Sequence, residues 1–408
     1  MSAAIPLISP WRRVPLDPLD GGSWIVAGDV DGDGEVEIVT ARNIDVNDVH
    51  YTCTMAAYKL DGTRLWRWGG PGAGRAQLHH DVACQLYDWD GDGRLEVIVC
   101  DERELVELDG ATGREKRRLP LPWGASDCLT FCNLSGGSRA TDVLVKNRYA
   151  DIWAFDRDWR LLWTRQKPGG HLTAHQPLPL DIDGDGRDEV MAGVELLNPD
   201  GSTRWHIDPG PHDFTPGHLD CCRVVRQGAR AEDWRLALTY CGAHLLAMID
   251  GTGKLLWACT GEHFESIDVG QLRPDVPGHH LLVDMDRAGW GNTVLQVISE
   301  DGALLNEMTL NDTRHHRLLD WRGTGVEDIV VGVDHALFDA QGRRSATLAI
   351  DPYDRPLVVH IGNLAGNGLS DILLGTRYGT AAYLYRNEHG KPVVPALPLG
   401  TGMNVTLY

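Results

Sequence analysis

Short apolar runs separated by turns dominate the pattern of hydrophobic and polar positions along this chain. The turns between paired runs fall at Asp61-Gly62, Asp109-Gly110, Arg157-Asp158, Asp200-Gly201, Asp250-Gly251, Asp301-Gly302, Gln341-Gly342 and His389-Gly390. Aspartate followed by glycine is typical of tight β-hairpins. No long segment has the 3.6-residue period of an amphipathic helix. The pattern therefore predicts an all-β chain.

An acidic, glycine-containing loop recurs between the apolar runs. Complete copies span Asp29–Glu37, Asp88–Glu96 and Asp181–Glu189, and weaker copies begin near residues 133, 271, 320 and 363. Each unit reads as strand, acidic loop, strand, link, strand, hairpin turn and strand. Four antiparallel strands in roughly 40–50 residues is the size of one blade of a β-propeller.

Eight such units account for nearly the whole chain, so residues 1–408 are expected to form a single eight-bladed β-propeller domain. A seven-bladed ring with one irregular unit is the alternative, because the unit near 218–241 has lost its acidic loop. The ring is expected to close through residues 11–15 or residues 403–408, either of which can join a blade formed by the other end of the chain.

Composition narrows the range of partners. The formal net charge of −20 argues against binding to nucleic acid, which requires basic patches. No stretch reaches the roughly 18 apolar residues of a membrane span, and the first residues lack the features of a secretory signal. The nine cysteines are interpreted as reduced, buried thiols. A monomeric, cytoplasmic protein is the expectation.

The acidic loops are candidate metal sites. Oxygen ligands at positions 1, 3, 5 and 9, with glycines between them, suit a hard cation such as calcium. Two or three structural Ca²⁺ ions are predicted, because bound ions would tie the turns between strands. The predicted ligands are Asp29, Asp31, Asp33, Glu37, Asp88, Asp90, Asp92, Glu96, Asp181, Asp183, Asp185 and Glu189.

Histidines recur on the strand that precedes each acidic loop, which would be the innermost strand of its blade and would line the central channel. They are His79, His80, His175, His218, His263, His315, His316 and His360. In three units an acid follows a histidine by two positions, and residues i and i+2 of a strand face the same side. Such a cluster suits acid–base catalysis or a transition metal.

A second group of candidate residues follows the second strand of the third unit, where Lys146, Arg148 and Tyr149 occur. Arg377 and Tyr378 repeat the theme in the eighth unit. Arginine is suited to binding a carboxylate, and tyrosine can donate a proton. His171 lies near His175 in sequence, so the third and fourth units would place these side chains on neighbouring blades.

Several of these segments resemble known enzymes. The run from Asp142 to Tyr149, His171 before the third acidic loop, and the segment Glu262–Gly278 resemble family-11 rhamnogalacturonan lyases, ulvan lyases and enzymes acting on rhamnose–glucuronate linkages. The acidic loops resemble FG-GAP propeller repeats, in which such loops are structural. The resemblance implies cleavage of a uronate-containing glycoside by β-elimination. Arg148 would then hold the carboxylate, His175 or His80 would be the base, and Tyr149 the acid.

Three functions remain open from the sequence. The first is a lyase for an oligosaccharide or glycoside, with catalytic candidates His80, Arg148, Tyr149, His175, His218, His263 and His316. Its substrate-binding candidates are His79, Lys146, His171, His360, Arg377 and Tyr378. The second is a glycoside hydrolase or sugar dehydratase, with Zn²⁺ or Mn²⁺ held by histidines in the central channel. The third is a non-catalytic binding propeller.

Overall fold

The structure, a computed structural model, describes residues 4–72, 74–76, 78, 83–286, 293–392 and 397–408. The described residues form eight β-sheets, and in seven of them four consecutive strands pair antiparallel in chain order. Only two short 3-10 helices occur among these residues, at Pro168–Gly170 and Ala231–Asp233. This confirms the predicted all-β propeller with four antiparallel strands per blade.

The first four blades follow one another along the chain. Blade 1 contains β3 (Trp24–Gly28), β4 (Glu37–Val46), β5 (Val49–Tyr58) and β6 (Arg64–Gly69), with β7 (Arg75–Ala76) paired to β4. Blade 2 contains β8 (Cys84–Tyr87), β9 (Glu96–Cys100), β10 (Glu104–Asp109) and β11 (Glu115–Pro120). Blade 3 contains β12 (Cys128–Cys132), β13 (Asp142–Lys146), β14 (Asp151–Phe155) and β15 (Leu161–Gln166). Blade 4 contains β16 (Leu178–Leu180), β17 (Glu189–Met191), β18 (Glu195–Leu197) and β19 (Thr203–His206).

The remaining four blades complete the ring. Blade 5 contains β20 (Leu219–Arg226), β21 (Arg235–Tyr240), β22 (Leu245–Ile249) and β23 (Leu255–Thr260). Blade 6 contains β24 (His263–Gly270), β25 (His280–Asp286), β26 (Thr293–Ser299) and β27 (Leu304–Leu310). Blade 7 contains β28 (His316–Leu319), β29 (Asp328–Val331), β30 (Ala336–Phe338) and β31 (Arg344–Leu348). Blade 8 contains β32 (Pro356–Gly362), β33 (Asp371–Thr376) and β34 (Ala381–Tyr385).

The N-terminal part of the chain closes the ring. Strand β2 (Arg12–Pro15) pairs antiparallel with β34 and supplies the fourth strand of blade 8. Strand β1 (Leu7–Ile8) adds to blade 7 by pairing parallel with β31. The first of the two predicted closures is therefore confirmed. Residues 403–408 join no sheet and instead lie in the central channel.

Blade 5 settles the number of blades. The weak unit near 218–241 folds into four paired strands although it has no acidic loop. Its two middle strands are largely buried: five of the six residues of β21 and all five residues of β22 are buried. Packing of apolar faces between blades is enough to form the sheet, so the seven-bladed alternative is wrong.

Tryptophans of the outermost strands join neighbouring blades at the outer rim. In four blades the indole Nε1 donates a hydrogen bond to a backbone carbonyl in the outer hairpin of the next blade. The bonds run from Trp66 to Gly110 (2.7 Å), Trp163 to Pro199 (2.9 Å), Trp205 to Gly251 (3.0 Å) and Trp257 to Glu300 (2.9 Å). Trp66 is buried and the other three are partly buried, and an indole that keeps its polar partner in this way stabilises the contact between blades.

The propeller has two distinct mouths. Each acidic loop follows the end of an innermost strand, so the three complete loops lie at one mouth, which we call the loop mouth. Innermost strands begin, and second strands end, at the opposite mouth, which we call the histidine mouth. The two mouths therefore separate the predicted metal loops from the predicted catalytic side chains.

The structure also bears on the expectations for the cysteines and for membrane-spanning segments. Eight of the nine cysteines are buried and the ninth, Cys259, is partly buried, and none forms a disulfide. This agrees with their interpretation as small core residues. Among the described residues, no helix combines the length and apolar character needed to cross a membrane.

Candidate active site

Three side chains from blades 3 and 5 form a stacked column at the histidine mouth. The Arg148 guanidinium lies 4.9 Å from the centre of the Tyr149 ring, which in turn stacks on His218 with centroids 4.2 Å apart and planes at 23°. Arg148 and Tyr149 follow β13, and His218 directly precedes β20. The column brings a cation, a phenol and an imidazole together.

Asp220 supports the histidine end of the column. Its Oδ1 lies 3.0 Å from His218 Nε2 and 3.7 Å from His175 Nε2, and the two imidazole rings are 4.4 Å apart. Burial raises the pKa of the Asp220 carboxyl, but the hydrogen bond from His218 and the charges of both histidines outweigh it, so the pKa is lowered. Asp220 therefore remains an anion that can orient both imidazoles.

A buried ion network lies beneath Arg148. Asp127 Oδ2 lies 2.7 Å from Lys146 Nζ, and both side chains are about 1% exposed. Asp127 Oδ1 lies 2.9 Å from His50 Nδ1, and Lys146 Nζ also donates to the Arg148 carbonyl at 3.0 Å. Burial opposes ionisation of Asp127, but the charge of Lys146 and the hydrogen bond from His50 hold its pKa well below the usual range. The network fixes the backbone from which the column projects.

A long hairpin from blade 1 reaches across to this network. Strands β4 and β5 have ten residues each and turn at Asn47 and Asp48, both with positive φ, as a tight hairpin requires. His50 Nδ1 lies 2.6 Å from Arg148 Nη1, and the His50 carbonyl accepts a hydrogen bond from Ser126 Oγ at 2.7 Å. Asp48, which is 70% exposed, lies 3.1 Å from Arg148 Nε.

Blade 6 places another histidine–acid pair beside the column. His263 Nε2 lies 2.7 Å from Glu265 Oε1, and Arg314 contacts Glu265 and lies 3.3 Å from Asp286. The hydrogen bond with Glu265 raises the pKa of His263, and Asp220 of blade 5 adds a smaller effect in the same direction. The pairs His218/Asp220 and His263/Glu265 confirm the prediction that an acid two positions after a histidine lies beside that histidine.

Two predicted histidines lie in the channel wall rather than in the column. His316 is fully buried, and its Nδ1 lies 2.7 Å from the Thr313 carbonyl oxygen. His360 is 2% exposed and packs edge-on against Trp24, with ring centroids 6.0 Å apart. Burial lowers the pKa of both imidazoles. Their predicted roles in catalysis and substrate binding stay predictions.

Other predicted residues are more distant or lie outside the described chain. Arg377 and Tyr378 line a separate cavity of about 440 Å³ between blades 8 and 1. His171 is partly buried on the loop before His175, and no contact between described residues places it in the column. His79 and His80 lie outside the described residues, so the structure says nothing of their predicted roles.

Sequence reasoning assigned no role to three residues that shape this site: Asp127, His50 and Tyr408. Asp127 precedes an innermost strand at the position where other blades carry histidine. His50 and Tyr408 gave no comparable signal. Lys146, predicted to bind substrate, is instead fully enclosed within the ion network, which leaves that role a prediction.

The acidic loops curl as their sequences predict. In the first loop, Asp29 Oδ1 accepts a hydrogen bond from Gly32 N at 2.7 Å and Oδ2 accepts one from Gly34 N at 3.0 Å. Both glycines have positive φ, which favours this tight curl. Ligand atoms within 4.8 Å of one another occur in the sets Asp29/Asp31/Asp33, Asp88/Asp90/Glu96 and Asp181/Asp183/Glu189. The remaining predicted ligands accept backbone hydrogen bonds within their loops: Glu37 from Val30, Asp92 from Arg94 and Asp185 from Arg187.

A basic side chain accompanies each loop, which the sequence did not predict. Lys59 Nζ lies 2.7 Å from both Asp31 and Asp33. Lys116 and Arg204 occupy the corresponding positions in the second and third loops, contacting Asp90 with Glu96 and Asp183 with Glu189. The carboxylate sets fit a hard cation in ligand type and spacing, but a cation would have to displace these side chains.

A comparison with protein-family models finds one of the families that the sequence segments resemble. The model of the C-terminal domain of rhamnogalacturonan lyase family 11 matches residues 22–112. The chain is thus a β-propeller with a segment similar to this lyase family. The match covers blade 1 and most of blade 2, including the long hairpin that carries His50.

Two curated proteins of Bacillus subtilis (strain 168) align with more of the chain. Rhamnogalacturonan endolyase YesW is 27% identical over 353 residues, covering 67% of this chain and 55% of YesW. Rhamnogalacturonan exolyase YesX is 28% identical over 305 residues, covering 60% of this chain and 48% of YesX. The chain thus spans about half the length of the curated relatives it matches.

Solved structures share the fold. The Bacillus licheniformis rhamnogalacturonan lyase PL11 superposes with a TM-score of 0.66 at 18% identity, covering 94% of this chain and 77% of that one. The Vibrio cholerae biofilm matrix protein Bap1 gives a TM-score of 0.63 at 11% identity, covering 98% of this chain and 94% of that one. Because a lyase and a matrix protein superpose about equally well, the fold alone does not decide the function.

Proposed function

We propose that the chain is a polysaccharide lyase that cleaves a rhamnogalacturonan-type chain beside a uronate by β-elimination. The observation that carries this proposal is the stacked column of Arg148, Tyr149 and His218, supported by Asp220, at one mouth of the channel. β-Elimination needs a cation for the carboxylate, a base and an acid, and the column supplies one of each. The similarity to YesW and YesX supports the substrate class.

Arg148 would hold the uronate carboxylate. Its side chain is about 26% exposed, and the buried network lies beneath its guanidinium, with Nη1 3.7 Å from Asp127 Oδ1. A guanidinium binds a carboxylate through two parallel hydrogen bonds and stabilises the negative charge that develops when the C5 proton leaves. This lowers the barrier because the enolate-like transition state carries more charge on the carboxylate than the substrate does.

His218 is the better candidate for the base. Its side chain is 13% exposed, compared with 5% for His175, so it is the more accessible of the two imidazoles. With Nε2 held by Asp220, Nδ1 is the nitrogen that would take the C5 proton. The electrons of the C5–H bond form the C4–C5 double bond as the C4–O bond breaks, and Tyr149 would protonate the leaving oxygen.

Product analysis tests the proposal directly. The protein would be incubated with rhamnogalacturonan backbone and, separately, with homogalacturonan. Elimination yields a conjugated, unsaturated uronate that absorbs in the ultraviolet, and no water is added to the products. Products with a mass increased by one water and no ultraviolet absorbance would replace the lyase by a hydrolase. Absence of any product, with measurable saccharide binding, would favour a binding propeller.

A metal-dependent hydrolase or dehydratase is the second candidate. His175, His218 and Asp220 bring their ligand atoms within 4.8 Å of one another, and two imidazoles with a carboxylate are a common donor set for catalytic zinc. However, the direct contact between His218 Nε2 and Asp220 Oδ1 uses atoms that a metal would need. One Zn²⁺ or Mn²⁺ per chain in elemental analysis would support this candidate.

The expected monomeric state and cytoplasmic location stay predictions.

Calcium in the acidic loops is a separate proposal about stability. We expect added Ca²⁺ to raise the unfolding temperature and EDTA to lower it, because an ion that binds only the folded state stabilises it. At free calcium about 100 times the dissociation constant, each site contributes about 2.7 kcal/mol. Differential scanning calorimetry with and without Ca²⁺ measures the effect. The triple variant Asp31→Asn, Asp90→Asn, Asp183→Asn should lose the response, and identical transitions in Ca²⁺ and EDTA for the unmodified chain would refute the proposal.

Neutralising Asp48 should improve substrate binding. Asp48 competes with the substrate carboxylate for Arg148, but as an exposed ion pair it contributes only about 0–1 kcal/mol. We expect Asp48→Asn to lower KM by about two- to fivefold with kcat unchanged, measured by initial rates on the rhamnogalacturonan backbone. Asparagine tolerates the positive φ of this position. Asp158→Asn, which removes an exposed charge paired with Arg160 elsewhere on blade 3, is the control and should leave KM unchanged.

A further inference from the structure

Residues 397–408, which we call the axial segment, run through the central channel from the loop mouth to the histidine mouth. At the loop mouth, Thr401 N donates to the Ala27 carbonyl at 2.8 Å and Gly400 N donates to the Asn363 carbonyl at 2.9 Å. At the other end, Tyr408 reaches the candidate active site. The segment therefore links the two mouths along the axis.

Two side-chain amides fix the middle of the axial segment. Gln85 of β8 accepts a hydrogen bond from Val405 N and donates one to the Val405 carbonyl, both at 3.0 Å. Asn404 does the reverse, accepting from Phe131 N and donating to the Phe131 carbonyl of β12, both at 2.8 Å. Each pair satisfies a backbone donor and acceptor that would otherwise be left unpaired inside the protein. These paired hydrogen bonds fix the position of the axial segment and its register against β8 and β12.

Two arginines of innermost strands fix the end of the segment. Arg223 of β20 donates to the Tyr408 carbonyl, and Arg317 of β28 donates to the Thr406 carbonyl. Leu407 between them is 1% exposed and belongs to a core cluster with residues of blade 1. Contacts to several blades thus fix the position of Tyr408.

Tyr408 contacts the imidazole that shares Asp220 with His218. Its ring stacks on His175 with centroids 4.5 Å apart and planes at 20°, and its hydroxyl lies 3.3 Å from His175 Nε2. On another side, the edge of Tyr149 approaches the same imidazole, with centroids 5.5 Å apart. Tyr408 is 6% exposed, so it offers little surface to a substrate.

We propose that Tyr408, held by the axial segment, is a positioning residue that orients His175 and thereby the His175–Asp220–His218 group of the proposed lyase site. The proposal rests on the proposed function for its kinetic test. Without Tyr408, His175 would lose both a stacking surface and a hydroxyl partner. The distances from Asp220 to the two imidazoles would then change. The axial segment also narrows the channel, which retains a cavity of about 520 Å³ beside residues 401–406.

Two substitutions separate the contributions of the ring and the hydroxyl. Tyr408→Phe keeps the stack and removes the hydroxyl, and we expect kcat to fall about three- to tenfold, the scale of one lost hydrogen bond. Tyr408→Ala removes both contacts, and we expect kcat to fall about 100-fold, as for small misplacements of catalytic groups. KM should change less than twofold in both, because neither variant alters a substrate contact.

A control variant tests whether loosening of the segment alone explains these effects. Val405→Ala removes packing from the same segment, whose hydrogen bonds to Gln85 use only backbone atoms of residue 405. It should lower the unfolding temperature with little change in kcat. The proposal is overturned if Tyr408→Phe matches the unmodified kcat and Tyr408→Ala affects only the unfolding temperature.

A spectroscopic measurement keeps this test independent of the proposed function. In the ¹H–¹³C spectrum of histidine-labelled protein, the His175 ring signals, assigned with a His175→Asn variant, should be shifted by the stacked Tyr408 ring. Tyr408→Ala removes the ring-current shift of His175, so repositioning is read from the His218 ring signals, assigned with His218→Asn. Tyr408→Ala should move the His218 signals, because Asp220 contacts both imidazoles, whereas Val405→Ala should not. If the chain shows no lyase activity but the His218 signals move as expected, the proposed function fails and the positioning by Tyr408 stands. Unmoved His218 signals would refute the positioning.

Discussion

Replacing His218 with asparagine is expected to lower kcat/KM on the rhamnogalacturonan backbone by a factor of about 10²–10⁴, the usual contribution of a general base. The imidazole is the part of the column that lies between Tyr149 and Asp220, so its loss removes the proton acceptor and leaves Arg148 in place. KM should therefore change little. Initial rates followed by the ultraviolet absorbance of the unsaturated product measure the effect.

A matched control is available at the opposite mouth. His279 is partly exposed beside Glu300 and follows the segment that replaces the acidic loop in blade 6, away from the column. His279→Asn should keep the unmodified rate. If His218→Asn retains activity within fivefold, the base must be another residue. His175, which shares Asp220, is then the first to test, followed by His80.

Neutralising Asp220 gives an independent check on the same assignment. Asp220→Asn removes the anion that orients both imidazoles and should also lower kcat/KM strongly, because the asparagine can hold the wrong tautomer of His218. Combining it with His218→Asn should add little further loss, since residues that act as a unit are not additive. Fully additive losses would indicate that the two residues act separately.

The repeat made most of the fold predictable from the sequence. Asp-Gly turns and acidic loops mark strand order so regularly that eight blades could be counted, and blade 5 formed although its loop had diverged. The spacing of two between His218 and Asp220 predicted their contact, because alternate residues of a strand share a face. Each of these features depends on residues that are close together in the chain, so it can be recognised from the sequence alone.

The parts that were missed depend on contacts between distant residues. His50 reaches Arg148, 98 positions later, because an unusually long hairpin of blade 1 extends to blade 3. Tyr408 reaches His175, 233 positions earlier, because the axial segment occupies the channel rather than completing a blade. The basic residues beside the acidic loops were also missed, although each lies in the same blade as its loop. No spacing rule within one repeat predicts contacts between non-adjacent blades or along the axis.

The buried network beneath Arg148 has consequences for stability as well as for activity. Asp127→Ala would leave the ammonium of Lys146 enclosed without its counter-ion, and both side chains are only about 1% exposed. Removing one partner of a buried ion pair typically costs about 3–5 kcal/mol, whereas replacing both partners by apolar residues is often neutral or stabilising. We therefore expect Asp127→Ala to lower the free energy of unfolding by about 3–5 kcal/mol, measured by urea denaturation at neutral pH. The double variant Asp127→Leu, Lys146→Met should recover most of this loss.

The pH dependence of unfolding gives the same pair a second signature. Because the folded-state pKa of Asp127 is lowered, its contribution to stability is complete above the unfolded pKa of about 3.9 and is lost as the pH falls towards the folded pKa. The unmodified chain should therefore lose stability below about pH 4 more steeply than the double variant. Lys146 Nζ donates to the Arg148 carbonyl at 3.0 Å, and Asp127 Oδ1 lies 3.7 Å from Arg148 Nη1, so both replaced residues help to position Arg148. The double variant should therefore fold yet have a much lower kcat/KM. A double variant with full activity would show that the network supports the fold alone, and that Arg148 is positioned without it.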